Sequence, residues 1–164
     1  MFCVHFFKNS GDNLFFPSTW RSPNEAQLLV SSTYRGSSAY RVENILGTEE
    51  AWFSKSYVES AWIEFTFPSS VTISGFRTKS ARRRATQTFK EFQFQSTFDQ
   101  GSSWRTVYKG TGRKLDCCDW QEFTFDKITS NIFRLNMLSN WKGKNFSIKQ
   151  LQLRFQRGNK TFWK

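Results

Sequence analysis

Cysteine, histidine and proline are scarce in this 164-residue chain, which has three Cys, one His and three Pro. Cys117 and Cys118 are adjacent and Cys3 stands far from both, so the spacing offers no disulfide framework. A reducing, cytoplasmic setting is the expectation, with nuclear and extracellular placements left open. The apolar stretch of MFCVHFFKNS stops at Lys8 and has no small-residue cleavage site. A secretory signal needs about 7 to 15 apolar residues, so Met1 reads as an unprocessed start. Nowhere does an apolar run approach the roughly 20 residues of a membrane-spanning helix.

The chemistry-bearing motifs are equally thin. No Gly-x-Ser-x-Gly elbow, glycine-rich phosphate loop or His-Glu-x-x-His helix occurs. Carboxylate pairs such as Glu49 with Glu50 and Asp116 with Asp119 meet the minimum for glycoside hydrolysis, but nothing fixes them across a cleft. Cys3 and His5 would share one face of a strand and could meet Cys117 or Cys118 at a metal. Adjacent cysteines lack the usual ligand spacing, however, so no metal site is predicted. The chain reads as non-catalytic.

Aromatic residues are what it has in excess: 18%, including 19 Phe and 7 Trp. So much ring surface excludes a disordered chain, and the length is about that of one domain. Charge is blocked rather than spread. The formal net charge is +11, yet residues 65–90 hold six basic residues and residues 127–164 nine, with no acid in either block. The remainder is net acidic, nine basic against thirteen acidic residues. Such blocks describe a directed cationic face and hence an anionic partner.

Hydrophobicity alternates with period two. In WIEFTF, Ile63, Phe65 and Phe67 share one face, and the same code recurs at Val71 and Ile73, Phe92 and Phe94, and Phe123 and Phe125. It continues at Phe133, Leu135 and Met137, then at Leu151, Leu153 and Phe155. At least six strands follow, separated by turn-rich pieces such as DQGSS, KGTGRK and SNWKGK, and no window carries a helical stripe. The predicted fold class is all-β: antiparallel sheets stacked as a sandwich, with most of the Phe in its core.

The order of signals, LLVSSTYRGSSAYRVENILGTEEAWFS, SAWIEFTF, VTISGFRTKS, FKEFQFQSTFDQGSSW, IFRLNML and SIKQLQLRF, resembles the discoidin or coagulation-factor C domain family, the galactose-binding-like jelly-roll sandwich. The positions that carry it are Ser31 and Ser32, Asn44, Trp52, Trp62, Ile73 with Gly75, the turn Ser96, Asp99, Gly101 and Trp104, and Arg134 with Leu135. The resemblance implies a domain at residues 25–155, with residues 1–24 an extension packed on it and 156–164 a basic tail. Some relatives hold calcium near the first Trp, which here would draw oxygens from Glu43, Asn44 and Glu49. Leu46-Gly47 stands where the family has Asp-Gly, which weakens that site. The disulfide that ties the terminal strands of secreted relatives is missing.

Family ligands are met by loops at one end of the sandwich. Placed by the resemblance, these loops carry Tyr34, Arg35, Tyr40 and Arg41, then Lys55 and Tyr57, then Arg82, Arg83 and Arg84, then Trp141, Lys142 and Lys144. Arg binds sulfate, phosphate or carboxylate bidentately, and rings offer flat faces to sugars. Trp52, Trp62 and Trp104 are expected to be core or anchoring residues. The third loop, SARRRATQT, has no Leu, Phe or Trp to enter lipid, although each basic residue near an anionic membrane is worth about 1 kcal/mol. The expected function is a non-enzymatic, lectin-like module for a carbohydrate or anionic ligand. The alternative is an intracellular adaptor of the same fold that binds protein or nucleic acid; the oligomeric state stays open.

Overall fold

The computed structural model describes residues 18–47, 49–116 and 119–156, and in them the predicted alternation becomes nine strands. These are β1 (Thr19–Arg21), β2 (Gln27–Val30), β3 (Trp52–Phe53), β4 (Ala61–Lys79), β5 (Glu91–Thr97), β6 (Arg105–Thr111), β7 (Trp120–Met137), β8 (Ser147–Ile148) and β9 (Gln150–Phe155). All pairings are antiparallel. Helical structure among the described residues is confined to short 3-10 turns, in keeping with the missing helical stripe.

Two strands do the work of four. β4 has 19 residues and β7 has 18, well beyond the usual strand of about 5 to 6. Their shared register breaks between Thr66 and Val71, where the sequence PSS interrupts the alternation, and again between Ile73 and Gly75. Before the first break β4 pairs with β2 and with the end of β7, which continues through β5 to β6. After it β4 pairs with the start of β7 and with β9, which carries β1 on its edge. The strands thus bend from one layer of a sandwich into the other. Thr19–Arg21, inside the predicted amino-terminal extension, supplies that edge strand.

The core lies between the layers. Ile63, Phe65, Phe67, Phe92, Phe94, Phe133, Leu135, Met137, Leu151, Leu153 and Phe155 are buried, as their alternation predicts. Phe76 of the second layer stacks on Phe94 of the first at 5.0 Å and meets Phe92 edge-on at 5.4 Å. Each fully buried ring contributes about 1.5–3 kcal/mol relative to exposure. Phe123 and Phe125 are only half-buried, because the start of β7 is a sheet edge and their rings reach inward from it to Phe92 at 4.6 Å and Phe94 at 5.3 Å.

The three anchoring tryptophans divide. Trp52 is fully buried and its indole N–H donates to the Ser32 carbonyl, pinning the first pole loop. Trp62 and Trp104 are not core residues: they lie on the outer sheet face, where Arg134 is held over both rings at 4.6 and 3.9 Å and donates to Glu64. The turn between β5 and β6 is closed by Asp99. Its carboxylate accepts from the Ser103 and Thr97 hydroxyls at 2.5 Å each, and these bonds lower its pKa to about 2.

Candidate functional site

The four loops predicted to form a pole all contribute to one cavity lining, and backbone bonds lock the second and third of them to the last. The Tyr57 N–H donates to the Lys144 carbonyl at 2.6 Å, joining the second loop to the last, and the Gly143 N–H donates to Thr86 of the third. Asn145, buried, donates from its side chain to the Ser54 carbonyl and the Ser56 hydroxyl. Asn140 folds the last loop by donating to Gly143 and Asn145 carbonyls while accepting the Gly143 N–H. Residue 143 has to be glycine, since a Cβ there would lie 2.6 Å from the Thr86 carbonyl oxygen.

Each of these loops also holds one non-glycine residue in the left-handed region: Arg35 (φ 53°), Tyr57 (φ 61°), Arg83 (φ 56°) and Lys142 (φ 66°). Only one other described non-glycine residue, Gln100, does so. A left-handed L-residue costs about 1–2 kcal/mol, and such strain gathers at functional sites.

The loops enclose two neighbouring cavities. The smaller, of about 260 Å³, is walled by Tyr34, Tyr40 and Phe53 and bordered by Arg84, Lys144, Gln87 and Asn145. The larger, of about 630 Å³, is lined by Glu49, Glu50 and Ala51, by Lys79–Arg82 and by Lys149. Tyr40, Phe53 and Arg84 line both and form the wall between them. Tyr34 meets Tyr40 edge-on at 5.4 Å, Tyr40 meets Phe53 at 5.2 Å, and the Arg84 guanidinium lies 5.9 Å from the Phe53 ring. Rings and cations therefore face one another here, a surface that suits the faces of sugar rings and anionic substituents together.

Of the predicted residues, Tyr34, Tyr40, Arg82, Arg84 and Lys144 line a cavity. Arg35, Arg41, Lys55, Tyr57, Arg83, Lys142 and Trp141 line neither. Arg35 turns back over the Tyr34 ring at 5.1 Å, and the Lys55 N–H is tied to the Ser32 hydroxyl. Tyr57 is 77% exposed at the rim, with Lys144 at 6.0 Å from its ring. Trp141 faces Lys90 at 5.4 Å, and its buried indole N–H finds no partner among the described residues.

The sequence pattern did not single out Phe53, Gln87, Lys79 or Lys149. Phe53 reads as one more core ring, and Lys79 and Lys149 lie at strand ends where alternation assigns them only to an outer face. Gln87 carries the most informative atom of the four. Its residue is 8% exposed, it borders the smaller cavity, and its side-chain oxygen has no hydrogen-bond partner among the described residues. A buried acceptor left unpaired costs about 1–3 kcal/mol, so it marks a place where a donor is missing.

Glu43, Asn44 and Glu49 are the oxygen donors named above for calcium. Asn44 is buried and turns its side-chain nitrogen to the Ala39 and Ala51 carbonyls, and no group of three or more His, Cys, Asp or Glu gathers among the described residues. Cys3, His5, Cys117 and Cys118, weighed for a metal, lie outside the described residues. No described helix is long and apolar enough to cross a membrane.

Comparison with known proteins adds a family and a set of folds. The F5/8 type C domain model matches residues 25–150. Among solved structures, the chain is similar to CpGH89CBM32-5 from Clostridium perfringens in complex with GalNAc-beta-1,3-galactose, with a TM-score of 0.70 at 12% identity over 83% of this chain and 99% of that one. It is similar to the family 32 CBM of C. perfringens NanJ in complex with galactose, with a TM-score of 0.69 at 13% identity over 83% and 98%. It is also similar to chitosan-binding module 1 from a Paenibacillus sp. IK-5 chitosanase/glucanase, with a TM-score of 0.65 at 18% identity over 79% and 94%. No curated protein sequence matches the chain.

Proposed function

Because the chain belongs to the F5/8 type C domain family, we propose that it is a non-catalytic glycan-binding module whose ligand enters the loop pole and carries negative charge. The observation that supports this reading best is the shared wall of Tyr40, Phe53 and Arg84, which offers ring faces and a bidentate cation to one ligand. The similar modules from C. perfringens are complexes with galactose-containing sugars and the Paenibacillus module is chitosan-binding, which favours a carbohydrate over a peptide. Charge then separates this pole from one made for a neutral sugar. Arg82, Arg84, Lys144, Lys79 and Lys149 border the two cavities against Glu49 and Glu50, leaving a cationic excess. No step of bond cleavage is assigned to any residue.

A glycan array run beside single-stranded DNA and phosphatidylserine liposomes tests this. Saturable binding to acidic glycans that persists at moderate salt is expected. Binding to all three anions that falls alike with salt would mean charge alone and contradict the proposal.

A further inference from the structure

We infer that the pole holds two adjoining subsites: the smaller cavity takes one sugar ring, whose hydroxyl or amide donates to Gln87, and the larger cavity takes the sulfate or carboxylate of its neighbour. This rests on the glycan-binding reading and extends it to residues outside the ring-lined wall. The smaller cavity, about 260 Å³, falls below the roughly 300–1,000 Å³ of pockets for drug-sized ligands, so it is sized for one ring. Its three rings provide the stacking wall, and the unpartnered Gln87 oxygen provides a buried acceptor that a sugar donor would satisfy.

The larger cavity has a different chemistry. Lys79, Arg82, Arg84 and Lys149 outnumber Glu49 and Glu50, and the Lys149 ammonium is already bonded to the Glu49 carbonyl. Lys79 leans on the Trp120 ring at 4.7 Å. Arg82 is exposed. Arg84 stands in the shared wall and reaches both spaces. An anionic group seated there lies one residue away from the ring in the smaller cavity. The preferred ligand is thus an acidic disaccharide unit rather than a single charged sugar.

The test uses the full chain, a panel of sulfated disaccharides and their desulfated counterparts, and three variants: Y40A, K79S with R82S, and Q87M. Wild type should bind at least one sulfated disaccharide about tenfold or more tightly than its desulfated form. K79S/R82S should collapse that preference to less than about twofold, bringing the sulfated form down to the affinity of its desulfated counterpart. Q87M should weaken both members of a pair about tenfold while raising Tm by about 2–4 °C, because it removes an unpaired acceptor from the unliganded fold. A residue with a purely structural role would lower Tm instead. If Y40A leaves binding intact, or no disaccharide binds, the glycan-binding reading itself falls. If Y40A abolishes binding but the sulfate preference survives K79S/R82S, only the two-subsite inference is overturned, and an unchanged affinity in Q87M overturns the role of Gln87.

Discussion

Between the sheets, Phe76 stacks on Phe94 at 5.0 Å and on Phe123 at 4.9 Å inside a cluster of buried apolar side chains. At the pole, Tyr40 stands edge-on to Phe53 at 5.2 Å with the Arg84 guanidinium 5.9 Å from the Phe53 ring. The residue types overlap, yet the surroundings give them opposite uses. Interior rings pack against rings and gain from exclusion of water. Pole rings border open cavities beside cations, on loops that carry left-handed residues and an unpaired acceptor. Stability belongs to the first region, and on the proposed reading the second gives up some of it for recognition.

Substitutions should separate the two. Phe76→Ala should cost about 3–5 kcal/mol in denaturant unfolding, since a fully buried ring leaves a cavity, and an effect below about 1 kcal/mol would mean the interior is not close-packed. Tyr40→Ala combined with Arg84→Ser should weaken glycan binding about a hundredfold, ~2.8 kcal/mol, with a far smaller change in unfolding free energy. Gly143→Ala drives a Cβ to 2.6 Å from the Thr86 carbonyl oxygen, and about 1–3 kcal/mol of destabilisation is expected as the third and last loops part.

Relief of strain should run the other way. Lys142→Gly should stabilise the protein by about 0.5–1 kcal/mol and hardly alter affinity, because Lys142 is left-handed and lines neither cavity. The smallest effect is expected at the far turn. The Asp99 pKa is lowered from 3.8 to about 2 by the Ser103 and Thr97 hydroxyls, so its contribution is present above pH 3.8 and is lost as pH falls toward 2. Asp99→Asn should flatten the stability profile across that window alone.

Much of the sandwich was legible because burial and period-two alternation are one and the same constraint. Ile63, Phe65 and Phe67, or Leu151, Leu153 and Phe155, can face a core only if the chain is extended. The bends in β4 and β7 were harder to read, since a strand that changes layer keeps most of its alternation and β4 interrupts it only at PSS and again between Ile73 and Phe76. At the pole the sequence gathers cations and rings on four loops, but contact between loops decides which of them face inward. That is why Arg82 and Arg84 border a cavity while Arg83 between them does not, and why Trp141 turns to Lys90. An unpaired atom such as the Gln87 oxygen has no signature in sequence at all.

The most direct measurement is calorimetric titration of the best-bound acidic glycan into wild type and into the Tyr40→Ala/Arg84→Ser variant, with Tm followed on the same samples. Binding that falls about a hundredfold while Tm moves by no more than about 2–4 °C is the predicted result. Equal affinity in the two proteins would contradict a glycan site at the loop pole.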